Sequence, residues 1–327
     1  MPHADRDPVT VSVVIPVYRG EQTLPDVVAE LERLTHPQVS PQGRPFVVGE
    51  VLLVWDRGPG RSDRTIGALA EQYAFVRPVW LSRNFGQHPA TLAGMTSSSG
   101  TWILTMDEDG QQDPAFLGSM LDTAYDQQAQ LVYASPTNRA PHGAFRNAAS
   151  ASVKWLFTRV LAGRDFKEFN SYRLILGEVG RSVAAYTGPD VYLDVALSWV
   201  VSTVALQPVT SRDEGRAASN YSLRRLVAHF GRLVISSGTR PLLYVSWLGI
   251  VFVLLGGVLT VFVVVRSLLG VVPVGGWSSV FVAILIVGGA TLLSLGVIAQ
   301  YVGAATSMSM GKPVYVVVRD PRETFPE

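Results

Sequence analysis

The tripeptide Asp107-Glu108-Asp109 is the stretch of this chain whose residue types and spacing invite chemistry. It follows the apolar run Thr101–Met106, which reads as a strand. On an extended chain successive side chains alternate, so Asp107 and Asp109 point the same way. Two carboxylates in that relation suit a hard divalent cation, Mg²⁺ or Mn²⁺, which also takes oxygens from a diphosphate. Alone the pattern is short, and two solvated turn acids would read the same.

The elements that must position these acids can be read outward from them. Thr10–Val17 is β-branched and reads as a buried strand; Leu24, Val27, Val28, Leu31 and Leu34 follow at helical spacing. Phe46–Trp55 is a second strand, Ala68–Tyr73 a short helix and Val76–Leu81 a third strand. His88–Ser98 is helical, Thr101–Met106 is the fourth strand, Ala115–Gln128 is helical and Leu131–Ala134 is the fifth strand. Alternating strands and helices with short links predict an α/β domain, a parallel sheet with helices on both faces. In such sheets ligands bind beyond the carboxyl ends of the strands. Val17-Tyr18-Arg19, Asp56, Ser82-Arg83-Asn84 and Asp107–Asp109 all lie just past strand ends and should meet in one crevice. No G-x-G-x-x-G turn follows the first strand, which disfavours an ordinary dinucleotide fold.

The chain has 327 residues, a formal net charge of +1 and no cysteine. Disulfides, thiolate metal sites and thiol catalysis are excluded, and no strong field draws nucleic acid. Apolar residues are unevenly spread. Pro241–Val265 carries no charge, Arg266 follows, and the next charge is Lys312. Leu242–Val265 and Val280–Val302 each reach the roughly 20 residues needed to cross a bilayer, and a Gly- and Pro-containing turn joins them. They predict a two-helix transmembrane hairpin; the rival is two buried helices of a soluble protein. Arg224, Arg225, Arg232 and Arg240 precede the hairpin and Lys312, Arg319 and Arg322 follow it, so both termini and the first domain are expected in the cytoplasm. The N-terminus has no apolar core of signal-peptide type. Leu223, Leu226, Val227, Phe230, Leu233 and Val234 oppose Arg224, Arg225 and Arg232 on a helical wheel, as in a helix lying in the membrane surface or one facing a core. The expected divisions are 1–222 for a catalytic domain, 223–240 for the interface helix, 241–304 for the spans and 305–327 for a cytoplasmic tail.

Val13–Tyr18, Leu81–Gly86 and Met106–Gln111 resemble the segments of inverting family 2 glycosyltransferases with the type-A fold. More narrowly they are similar to the dolichyl-phosphate mannose synthase and bactoprenol glucosyltransferase group. Ser171-Tyr-Arg-Leu174, Arg216–Ser222, Ala299–Gly303 and Lys312–Tyr315 resemble that group's later segments in the same order, so the likeness runs from about residue 9 to residue 318. It implies a Rossmann-like domain with a mostly parallel sheet. It also implies transfer of a sugar from a nucleotide-sugar to a polyprenyl phosphate, by a single displacement at the anomeric carbon. The attacking phosphate oxygen is already anionic near neutral pH, so the leaving nucleoside diphosphate is the harder charge to stabilise. The likeness assigns metal contact to Asp109 and Asp107, and donor contacts to Pro16, Tyr18, Glu21, Asp56, Arg83, Asn84, Asp107, Glu108 and Gln111. Arg173 and Arg216 become candidate phosphate clamps, since a guanidinium matches phosphate oxygens. Ser171 takes the place of a proposed base. Arg212, Arg216, Ser219, Tyr221, Arg224 and Arg225 are assigned to the acceptor phosphate and the membrane surface.

Some positions depart from the group's pattern. Trp55 stands where an acid usually contacts the nucleobase, leaving Asp56 as the candidate. Serine at 171 cannot act as a base, Arg19 displaces an asparagine, and Gln300 and Ala304 replace Glu and Arg. Two alternatives follow. One is a catalytically impaired membrane scaffold on the same fold. The other is a polysaccharide synthase, which lacks support because no Q-x-x-R-W segment occurs. Two helices enclose no polymer channel unless the chain forms a homo-oligomer, which stays open.

Overall fold

The computed structural model describes residues 7–137, 169–189, 191–210, 212, 240–269 and 277–324. These fall into two compact units. One holds the described residues up to 212 together with 313–324; the other holds 240–269 and 277–312.

The first unit is built on one mixed sheet. Its strands are β1 (Val9–Val17), β2 (Gln38–Val39), β3 (Pro45–Trp55), β4 (Val76–Leu81), β5 (Trp102–Thr105), β6 (Leu131–Pro136), β7 (Arg173–Leu176), β8 (Val204–Val209) and β9 (Val317–Val318). The order across the sheet is β8-β6-β7-β5-β1-β3-β4-β9, with β2 hairpinned onto β3. β1 pairs parallel with β3 and β5, β3 with β4, and β6 with β8. The expected strands are all present, and the sheet is mostly parallel. It is not wholly so: β7 is inserted antiparallel between β5 and β6, and β9 closes the other edge antiparallel to β4.

Helices cover both faces, which is why these strands read as continuous apolar runs. Along β1, Val11, Val13, Ile15 and Val17 pack toward α1 (Leu24–Glu32), α2 (Ser62–Gln72) and α4 (Leu117–Asp126). Val14 packs to the other face, against α3 (Gln87–Ser97), α5 (Gly177–Tyr186) and α6 (Leu193–Val200). All five of these β1 side chains are fully buried. Burial of this kind stabilises by roughly 25 cal/mol per Å² of apolar surface.

The second unit consists of α7 (Arg240–Leu268) and α8 (Trp277–Ser309), which touch one another. Both outrun the expected spans. α8 continues past residue 304 because Ala-Thr-Ser-Met-Ser is uncharged and helix-compatible; it stops before Gly311, whose φ of +64° ends the turn. Within the described residues one segment, Ile286–Ser309, is long and apolar enough to cross a membrane; Val245–Leu259 is a shorter apolar stretch. The tail is not a loose extension. Residues 313–324 belong to the first unit, where β9 pairs with β4 and Tyr315 donates its hydroxyl to, or accepts from, Thr96 Oγ1 at 2.8 Å. A short α9 (Pro321–Thr324) follows.

Candidate active site

The carboxyl ends of β1, β3, β4 and β5 open on a cavity of about 450 Å³. That lies within the range of small-molecule sites, roughly 300–1,000 Å³. Pro16, Val17, Tyr18, Asp56, Asn84, Gly86, Gln87, Asp107, Glu108 and Asp109 line it. A second cavity of about 190 Å³ is lined by Gln111, Gln112, Asp113, Asn170, Ser171 and Tyr172 among others. Asp107 and Asp109 line both. Six of the expected donor residues therefore meet in the first cavity together with Asp109, and Gln111 and Ser171 meet the same acids from the second.

Each acid is held differently. Asp107 is fixed on every side. Its Oδ1 accepts from Gln87 Nε2 at 2.6 Å, and its Oδ2 accepts from Ser171 Oγ at 2.5 Å and Gln112 Nε2 at 3.0 Å. Its own N–H donates to Gln112 Oε1 at 2.8 Å. Glu108 turns back to accept from the backbone N–H groups of Tyr18 (3.0 Å) and Arg19 (3.0 Å), closing the loop after β1. Among the described residues Asp109 Oδ1 accepts from the Gln111 N–H alone, at 3.1 Å, and the residue stays partly exposed. Asp107 and Asp109 line both cavities, whereas Glu108 lines the larger one alone and turns its carboxylate to the neighbouring loop.

Asp56 is buried at the end of β3 and accepts from Phe85 N–H (2.7 Å) and Gly86 N–H (2.8 Å). Gly86 sits at φ +101°, a conformation side chains other than glycine's resist, and this turns the loop into α3. Gly58 also has a structural reason: a Cβ there would lie 1.5 Å from the Tyr18 carbonyl oxygen. Burial pushes the pKa of Asp56 up against its two hydrogen bonds and the charge of Arg83. Burial likewise raises Asp107 and Glu108, in Asp107 against the Ser171 bond and with the charge of Asp109 adding to the rise. None of Asp56, Asp107, Glu108 and Asp109 forms an ion pair with another described residue.

Other expectations are corrected or relocated. Arg173 does not face a cavity as a phosphate clamp. It lies at the start of β7, fully enclosed; its guanidinium pairs with Asp194, which also accepts from Tyr133 Oη at 2.7 Å, and its Nε donates to Thr105 Oγ1 at 3.1 Å. A side chain held this way braces β5, β6, β7 and α6. Glu21 lies outside the cavity lining and accepts from Ser62 Oγ at 2.7 Å, while Ser62 Oγ accepts from Gly20 N–H. Arg83 stacks over Phe85, 4.2 Å from the ring centroid. Arg212 pairs with Glu30 at 2.7 Å and with Asp113, a wall of the second cavity, at 2.9 Å. Arg216, Ser219, Tyr221, Arg224 and Arg225 lie outside the described residues, as does most of the surface helix. Trp55 is a core residue edge-on to Trp80, at 5.7 Å between centroids. Gln87 and Gln112 were missed in the sequence, where nothing marks a glutamine as the partner of a distant aspartate.

The comparison with known families decides the matter: the Glycosyl transferase family 2 model matches residues 12–182. The chain belongs to glycosyl transferase family 2. This glycosyltransferase is similar over nearly its full length to curated proteins. It is 24% identical over 310 residues to the bactoprenol glucosyl transferase of Shigella phage SfV, covering 94% of this chain and 97% of that one. It is 28% identical over 316 residues to the undecaprenyl-phosphate 4-deoxy-4-formamido-L-arabinose transferase of Erwinia tasmaniensis, covering 94% and 93%. Among solved structures, glucosyl-3-phosphoglycerate synthase from Mycobacterium tuberculosis in complex with uridine diphosphate matches with a TM-score of 0.49 at 17% identity, over 73% of this chain and 82% of that one.

No group of three or more His, Asp or Glu side chains able to hold a metal occurs among the described residues. A site completed by substrate oxygens needs fewer protein ligands: Mg²⁺ is commonly held by one or two carboxylates plus phosphate. Asp109, partly exposed and on the wall of both cavities, fits that donor set. Asp107 adds negative charge beside it with both oxygens already hydrogen-bonded.

Proposed function

We propose that this family 2 glycosyltransferase moves a sugar, with inversion, from a nucleotide-sugar to a polyprenyl phosphate at a membrane surface. The observation that carries this reading is the acid pair lining two cavities at once. The larger would take the nucleotide-sugar and the smaller would admit the acceptor phosphate, so that the anomeric carbon lies between them near Asp107 and Asp109. The names of the two curated relatives, which pair a sugar with bactoprenol and with undecaprenyl phosphate, support the acceptor class.

The chain's own residues would divide the task as follows. Asp109 offers a carboxylate toward both cavities. Asp107, held by Gln87, Ser171 and Gln112, keeps its charge at a set place. Glu108 holds the Tyr18–Arg19 loop against the donor. Ser171 donates to Asp107 and takes no proton from the acceptor, whose phosphate oxygen is already anionic. Mg²⁺ or Mn²⁺ at Asp109, when bound, would neutralise the growing charge of the leaving nucleoside diphosphate. Arg212, set in ion pairs beside the smaller cavity, and Arg216 remain candidates for the acceptor side.

The membrane assignment rests on the surface of the second unit. Leu254, Leu259 and Val258 on α7 and Leu292, Leu293 and Ile284 on α8 are more than half exposed, a state suited to lipid and costly in water. We read α7 and α8 as a hairpin of two spans with both termini in the cytoplasm. A reporter after Glu327 found on the outer face would overturn that orientation. The activity is tested with purified protein, a polyprenyl phosphate, Mg²⁺ or Mn²⁺ and a panel of nucleotide-sugars. Lipid-linked sugar should form with one donor and vanish in Asp109→Ala. Undiminished product in that variant would refute the role of the acid pair.

A further inference from the structure

The geometry assigns Gln87 as a positioning residue for Asp107, acting from the donor side of the cleft; the assignment rests on the function proposed above. In the sheet, β4 and β5 are separated by β1 and β3. Gln87, which opens α3 just after β4, nevertheless reaches Asp107, just after β5, with Nε2 to Oδ1 at 2.6 Å. Both residues stand on the wall of the larger cavity.

The two oxygens of Asp107 are served from opposite sides. Oδ2 is held by Ser171 and Gln112, both on the smaller cavity. Oδ1 accepts from Gln87 on the larger one. A carboxylate gripped at one oxygen can pivot about its terminal torsion, where wells are broad. Gripped at both, its plane is set. The same loop sets Asp56, which accepts from the two residues just before, Phe85 and Gly86. Three consecutive residues, 85 to 87, therefore fix two acids of one cavity, the first two by backbone and the third by side chain.

Gln87 is itself exposed, so it contributes little to the core and its role can be separated from folding. What matters is that it donates. Glutamate has the same shape and cannot donate when ionised; lysine keeps a donor; alanine removes the group.

The test uses the full-length chain in detergent or nanodiscs. Calorimetry would measure Mn²⁺-dependent binding of uridine and guanosine diphosphates, beside transfer kinetics and thermal melts. Partners that orient a metal-site carboxylate typically matter by about 10- to 100-fold. Gln87→Ala and Gln87→Glu should lose nucleotide affinity and kcat to about that extent, with the melting midpoint and the KM for lipid unchanged, and Gln87→Lys should retain more than Gln87→Glu. Wild-type behaviour of Gln87→Glu would overturn the assignment alone. So would an equal loss in all three variants with lowered melting points, which is the mark of a folding defect. Absence of metal-dependent binding in the wild type would sink the proposed function, and this assignment with it.

Discussion

Both ends of the sheet place carboxyl groups beside a cavity, one at the amino ends and several at the carboxyl ends, and they treat them in opposite ways. At the amino ends of the parallel strands Glu50 borders a cavity of about 320 Å³. It accepts from Ser12 Oγ at 2.6 Å, Ser99 N–H at 2.6 Å and Ser99 Oγ at 2.8 Å, and it pairs with Arg77. Burial pushes its pKa up, but those four bonds outweigh it and leave the carboxyl below its ordinary range. At the carboxyl ends burial pushes Asp56, Asp107 and Glu108 up; no described cation is in direct ion pair with them, and the charges of Arg83 near Asp56 and Arg173 near Asp107 do not offset the burial. One end closes its own electrostatics. The other accumulates negative charge around an open cavity, an arrangement that costs stability and suits a site. A buried carboxylate by itself therefore says little; whether the fold supplies its counter-charge separates a strut from a working group.

Four changes would break or sharpen that contrast. The largest effect is expected at the open end. Asp109→Asn keeps the shape and removes the charge, and should lower kcat/KM by about 100- to 1,000-fold, the scale of losing one electrostatic stabiliser of a transition state. Transfer assays with intact melting behaviour would check it, and near-normal turnover would erase the distinction between the ends.

Next comes the brace behind the site. Arg173→Met strands Asp194 without its partner, and removing one member of a buried ion pair costs about 3–5 kcal/mol. Denaturation of the full chain should show this. A variant as stable as the wild type, yet unable to bind nucleotide, would return Arg173 to the donor site.

At the closed end, Glu50→Gln should cost about 1–3 kcal/mol by leaving buried donors poorly matched, while transfer persists. Its pH dependence carries a sign. A depressed carboxylate contributes stability above its ordinary value of 4.5, lost as pH falls through the lower folded value. The wild type should weaken below pH 4.5 more steeply than Glu50→Gln. Asp56, raised by burial, contributes the opposite slope: its share is present below its ordinary value of 3.8 and is lost as pH rises through the raised one.

The smallest change concerns the tail. Tyr315→Phe removes one hydroxyl bond to Thr96 and should cost about 0.5–1.5 kcal/mol with little effect on transfer. A large loss of activity would instead make the tail part of the site, since Ser82 N–H donates to Val316 O at 2.9 Å next to the loop that carries Asn84 and Gly86.

The chain alone determined much about this protein. Strands β1, β3, β4, β5 and β6 and the helices α1, α3 and α4 were legible because each carries its own period and its own bounding turns; α2, expected at Ala68–Tyr73, begins six residues earlier, at Ser62. The Asp107–Asp109 pair was legible because both acids lie just past the end of a buried apolar strand, and α7 and α8 because long uncharged runs are rare in water. Tertiary structure decided the rest. β7 is too short to announce itself: Ser171–Leu174 looked like a site motif and became partly a strand, because β5 and β6 offered it edges. β9 is two valines that pair only because β4 is waiting. The charge on Arg173 was visible, but its captor Asp194 lies 21 residues on, and folding turned a candidate clamp into a brace. Gln87 and Gln112 gained their meaning from a bond to one distant aspartate. Local pattern fixes what a segment can form, whereas the partner of a polar group is set by which elements the sheet brings together.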